Sequence, residues 1–190
     1  MSEQKKVKPK IDETAKNNLD GELLKDFEKF LDYLKQEKIS LPWKSINGYN
    51  MKYKSKNVGR ITIVENCIHI GVETVGWGKS DFDEYLEGQS DEITDMFMER
   101  LTHKCTQCRP TCGCSRGPGK TIQVLGNWYE NICNNTPEYV FRSYNMTEMT
   151  LYTPRASHTP EPVCQVPIER IKKLITAKKE YIEKILAESK

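Results

Sequence analysis

From Leu19 onward the apolar positions Leu23, Leu24, Phe27, Phe30, Leu31 and Leu34 recur at three- and four-residue steps. That spacing predicts one stripe of an amphipathic helix ending before Pro42, whose ring disfavours helical backbone in the residue ahead of it. The period then changes to two. Tyr49, Met51 and Tyr53 alternate with polar residues, as do Ile61 and Ile63, then Ile68, Ile70 and Val72. Ser55-Lys56-Asn57 and Glu65-Asn66 interrupt them, which predicts three short antiparallel strands. Ser80 can cap a second helix carrying Phe82, Tyr85, Leu86, Ile93, Met96, Phe97 and Leu101, with Gly88 as the point where it would split.

Residues 102–119 read as a cysteine-rich loop. After it, Thr121 to Leu125, Tyr139 to Phe141 and Met149 to Tyr152 suggest strands. The stretch 153–167 contains Pro154, Pro160, Pro162 and Pro167 and reads as a surface loop. Pro167 suits the first turn of a last helix, whose Ile168, Ile171, Leu174, Ile175, Tyr181, Ile182, Ile185 and Leu186 form the cleanest helical stripe in the chain. Residues 1–18 are polar and lysine-rich without a period, so they read as a flexible N-terminal arm ahead of a single domain, 19–190, with a metal-binding loop at 102–133. Helices and strands come in runs, which predicts an α+β fold: an antiparallel sheet with amphipathic helices on one face.

With 190 residues the chain can bury one core, and 37% hydrophobic against 29% charged residues is the balance of an ordinary globular domain. The 29 basic and 27 acidic residues leave a net charge of +2, so there is no global field drawing the protein to nucleic acid or anionic lipid. No apolar run approaches the roughly 18 residues of a membrane span, and no apolar segment follows the N-terminal lysines. These features predict a cytoplasmic chain without a membrane partner. A reducing compartment turns the seven cysteines away from structural disulfides and towards metal ligation.

Cys105, Cys108, Cys112 and Cys114 have the form C-x2-C-x3-C-x-C, and Cys133 follows nineteen positions after Cys114. A C-x2-C knuckle brings two sulfurs to one ion, and zinc takes four thiolate or imidazole ligands in a tetrahedron. Cys105 and Cys108 are the first two ligands in this reading, Cys112 and Cys133 the other two, with Cys114 or His103 as substitutes. Arg100, Lys104, Arg109, Arg116 and Lys120 surround the cluster, and cations near thiols favour the ligating thiolate. The rivals are reduced cysteines in a basic loop, a redox pair at Cys105 and Cys108, and an iron-sulfur cluster.

The combination of Cys105-x2-Cys108-x3-Cys112, Pro118-Gly119-Lys120, Val124-Leu125-Gly126 and Asn131-Ile132-Cys133 resembles a group of small uncharacterised bacterial proteins, over about residues 20–186. The resemblance implies Cys133 as fourth ligand and implies no activity. Cys114 and Cys164 are extra to its pattern.

Gly117-Pro118-Gly119-Lys120-Thr121 ends like a phosphate-binding loop, but the glycine such a loop requires is replaced by Cys114, and a strand pattern follows instead of a helix. A weaker anion contact at Arg116 and Lys120 survives. Cys67 and His69 share a strand face, where packing explains them more simply than nucleophile and base. The sequence thus predicts a zinc-stabilised binding module for a small molecule or protein partner. A thiol-based or zinc-dependent enzyme, and nucleic-acid binding through the basic cysteine loop, are the alternatives.

Overall fold

The computed structural model describes residues 7–73, 83, 86–99, 120–132, 138–143, 146, 148–152 and 162–189. Within them lie four helices, α1 (Ile11–Asn18), α2 (Gly21–Gln36), α3 (Asp91–Glu99) and α4 (Ile168–Glu188). The strands are β1 (Trp43–Ser45), β2 (Gly48–Tyr53), β3 (Lys56–Val64), β4 (Cys67–Glu73), β5 (Lys120–Val124), β6 (Asn127–Ile132), β7 (Glu138–Ser143), β8 (Glu148–Tyr152) and β9 (Pro162–Pro167).

Seven of the strands form one antiparallel sheet in the order β1-β2-β3-β4-β7-β8-β9, while β5 and β6 pair separately as a hairpin. The large sheet is a meander with a single excursion. β4 runs straight into β7 across the sheet, with Glu73 the register partner of Glu138. Residues 74–137, which include α3, the hairpin and five of the seven cysteines, leave and return at that one point. The α+β expectation, an antiparallel sheet with packed helices, describes this architecture.

Register explains the core. Tyr49 faces Ile61, Ile61 faces Ile70, Ile70 faces Phe141, Phe141 faces Leu151 and Leu151 faces Cys164, one cross-strand ladder on one face of the sheet. Side chains on adjacent antiparallel strands meet in this way about 5 Å apart. Ile171, Leu174 and Ile175 of α4 and Phe27, Phe30, Leu31 and Leu34 of α2 are buried in the same cluster. Each such side chain contributes on the order of 1.5–3 kcal/mol when removed from water. α4 is tied to α2 by the Tyr33 hydroxyl, which donates to the Lys172 carbonyl at 2.9 Å. Further along, the Tyr53 hydroxyl donates to Glu183, and Lys179 pairs with Glu37 at 2.7 Å.

Two local expectations are revised, one strand is added and one expectation holds. The flexible arm expected through residue 18 is ordered from Ile11: Ile11, Thr14 and Ala15 of α1 are buried, and the Tyr49 hydroxyl donates to the Pro9 carbonyl at 3.0 Å. The proline-rich loop expected at 153–167 ends in strand β9, tolerated because Pro162 and Pro167 stand at its two ends. β1 is an added edge strand of three residues. The split expected at Gly88 occurs: Leu86 and Glu87 are helical, the backbone then turns, and α3 starts after Ser90, whose carbonyl accepts from the Ile93 and Thr94 amides at 3.0 Å. Ser80, the expected cap, lies outside the described residues.

Two hairpin turns use positive φ at both central positions without glycine, Lys54-Ser55 at 45° and 66° and Glu65-Asn66 at 42° and 58°. That is type I′ geometry, whose twist matches the flanking strands. At Leu125-Gly126 the same turn gives its second position to glycine, at 74°.

Candidate metal centre and binding cleft

Cys105, Cys108, Cys112, Cys114 and Cys133, together with His103 and Arg116, lie outside the described residues. What the structure describes is the frame around them. The β5–β6 hairpin begins at Lys120 and ends at Ile132, and these two residues are register partners at its open end. The cysteine-rich segment joins the hairpin immediately before Lys120, and Cys133 follows immediately after Ile132. A separation of nineteen positions from Cys114 to Cys133 therefore reduces to the six steps from Cys114 to Lys120, the pair across the hairpin, and one step from Ile132 to Cys133. Six residues of extended chain span up to about 20 Å, so the connection is long enough for the sulfurs to meet and needs no unpairing of the hairpin. The donor set also suits the ion, since thiolates are the ligands that zinc prefers in structural sites.

The remaining two cysteines are placed by the sheet. Cys67 is buried in β4. Cys164 occupies a position in β9 opposite Leu151, on the ladder. Neither belongs to the excursion. His69, which shares its strand face with Cys67, is half-buried on β4 and opposite Thr62. Among the described residues no three His, Cys, Asp or Glu side chains form a group that could hold a metal ion.

Within the excursion, α3 is docked on the last helix. Glu92 in the first turn of α3 pairs with Lys173 and lies 3.8 Å from the Arg170 guanidinium. Leu86 and Ile93 are buried in the main core. Between α2, the start of α3 and α4 this docking leaves a cleft of 410 Å³, walled by Tyr33, Ser90, Ile93, Lys172, Thr176 and Glu180 among others. Its volume falls within the range of small-molecule sites. Its walls are mixed in charge: Lys172 is held by Glu169 at 2.6 Å and stands 5.4 Å over the Tyr33 ring. Burial pushes the Tyr33 phenol up to about 12, with the Thr176 hydroxyl at 3.2 Å opposing part of the rise. Tyr33 is thus a fixed neutral hydrogen-bonding group at neutral pH.

No family model, curated protein or solved structure matches the chain.

A further titratable group was missed by sequence reasoning. Lys178 of α4 is buried, with its ammonium 3.9 Å from Glu73. Burial pushes this amine down to about 8, against the opposing pull of Glu73. The signal was present: position 178 falls on the stripe of Ile171, Leu174, Ile175 and Ile182, where an apolar residue is expected.

No helix among the described residues is long and apolar enough to cross a membrane.

Proposed function

We propose that the chain is a metal-stabilised binding module, in which zinc held by Cys105, Cys108, Cys112 and Cys133, with Cys114 as the substitute third ligand, braces the excursion. The braced excursion keeps α3 against α4 and so maintains the cleft at Tyr33, where a small polar molecule or a segment of a partner protein binds. The observation that carries this reading is the pairing of Lys120 with Ile132, which starts the cysteine segment and Cys133 from adjacent points. The zinc is structural here: four protein ligands leave no open position for chemistry.

Elemental analysis of protein purified without added metal, alongside Cys105→Ser and Cys133→Ser, tests the reading. One zinc per chain, lost in both variants together with protection of α3 in hydrogen exchange, supports it. Full zinc occupancy in Cys133→Ser removes that ligand, and iron with sulfide in place of zinc replaces the site by a cluster.

One observation favours a second reading, nucleic-acid contact through the same region. Trp128 on β6 is 68% exposed, on the hairpin that follows the basic cysteine segment in the chain, and an exposed indole is a platform for an unpaired base. Salt-dependent binding of a single-stranded oligonucleotide, weakened in Trp128→Ala, would support it.

A further inference from the structure

The cleft beside Tyr33 is drawn out along α4, whose side of it runs from Glu169 through Lys172, Lys173 and Thr176 to Glu180. That is three helical turns, a rise of about 16 Å. The pair between Glu92 and Lys173 sets the start of α3, with Gln89 and Ser90, beside the first half of this wall. Glu180 stands two turns beyond Lys173, about 10 Å further along the axis. The charges in the first half are matched: Lys172 is held by Glu169 at 2.6 Å, and Lys173 by Glu92. Glu180 is exposed at the other end and forms no ion pair among the described residues. Between the two ends Tyr33, Ile93 and Ala177 supply apolar surface. The Ser90 hydroxyl and the Gln89 amide have no hydrogen-bond partner among the described residues.

We propose that the cleft binds a small monoamine, its ammonium at Glu180, its apolar body against Tyr33, Ile93 and Ala177, and a hydroxyl at Ser90 and Gln89. The inference rests on the cleft being the binding site of the module, and it names the class of ligand. Clefts concentrate ions of the sign opposite to their unmatched charge, and here that charge is a carboxylate. The apolar stretch selects a hydrophobic body over a hydrated metal cation. An anionic ligand of the same shape would bring its charge against Glu180. A diamine would set its second ammonium among Lys172 and Lys173, whose counter-charges are already engaged. The distance between the free carboxylate and the free hydroxyl suits an ammonium and a hydroxyl carried at opposite ends of one aromatic ring.

NMR titration of the full chain with tyramine, 4-hydroxyphenylacetate, cadaverine and N-acetyl-lysine methylamide tests the proposal. The expected result is saturable binding of tyramine that shifts the Tyr33 and Ile93 amide resonances, with each of the other three weaker. Glu180→Gln should weaken tyramine about threefold to fivefold, the range of an exposed ion pair, and added salt should weaken it in the wild type. Glu188→Gln, an exposed carboxylate on the same helix beyond the cleft, should bind as the wild type does. Both substitutions are at the surface, and unfolding midpoints confirm that the variants fold. Absence of tyramine binding, equal affinity in folded Glu180→Gln, or tighter binding of the carboxylate or the diamine overturns the proposal. Tighter binding of the lysine derivative overturns it in favour of a partner protein's side chain. Zinc measured on the same samples separates the two claims: a zinc-loaded chain that ignores tyramine overturns the ligand class alone, and a zinc-free chain that binds it overturns the metal brace alone.

Discussion

The ammonium of Lys178 and the carboxylate of Glu73 lie 3.9 Å apart, joining the middle of α4 to the last residue of β4. The pair stands where the excursion leaves the sheet, and Glu73 also accepts from the Asn57 amide. Burial lowers the folded-state pKa of Lys178 from 10.5 to about 8. Between those two values the unfolded chain keeps a proton that the folded chain has released, so the stability contributed by this group rises with pH across that window. Below it the buried charge carries its full cost.

Replacing Lys178 by Met should therefore raise stability at pH 7 by about 1–3 kcal/mol, as replacement of buried charges by apolar side chains often does. The gap to the wild type should close as pH rises from about 8 to about 10.5. Urea midpoints of both proteins at pH 7, 8, 9 and 10 measure it. An unchanging gap would show that the amine is not titrating in this range.

Gly59 is packed against the neighbouring strand more closely than any other residue type permits. A Cβ added there would lie 2.0 Å from the Gly71 carbonyl oxygen and 2.7 Å from Met51 Cε. The Met51 methyl can swing away, but the backbone carbonyl cannot. Gly59→Ala should cost about 2–4 kcal/mol, since it forces apart two central strands. Thermal unfolding reads the loss directly.

Tyr49 is one of the ties that hold α1 to the sheet. Its hydroxyl meets the Thr14 hydroxyl at 2.5 Å and the Pro9 carbonyl at 3.0 Å. Tyr49→Phe leaves the ring in the core and removes these two contacts, at about 1–2 kcal/mol. Hydrogen exchange should then accelerate in residues 11–18 ahead of the sheet. Uniform acceleration across the whole chain would place the loss elsewhere.

The elements easiest to read from sequence were those with a long, unbroken period. α2 and α4 showed their stripes, and β2, β3 and β4 their alternation, because one face of each lies against the core. α1 was hidden because its buried positions include Thr14, and because the lysines around it mimic a tail. β1 is too short to display a period, and β9 was masked by prolines that suit strand ends as well as loops. Lys178 was passed over because a charged letter on an apolar stripe reads as a surface break, although its long stem can line a core. The cysteine spacing was plain in the sequence. The order of the strands was not, because it depends on which edges meet in space.

The pairing of β4 with β7 sets an order of events for the nascent chain. β1 to β4 are joined by tight turns and can zip locally, whereas the β4–β7 seam must first bring together the ends of residues 74–137. Against a two-residue turn, closing such a loop costs about 3 kcal/mol more in chain entropy. The seam is therefore the expected slow step of refolding. An ion that cross-linked the excursion early would shorten the loop before the seam closes, so a zinc site there would quicken folding as well as hold the finished structure.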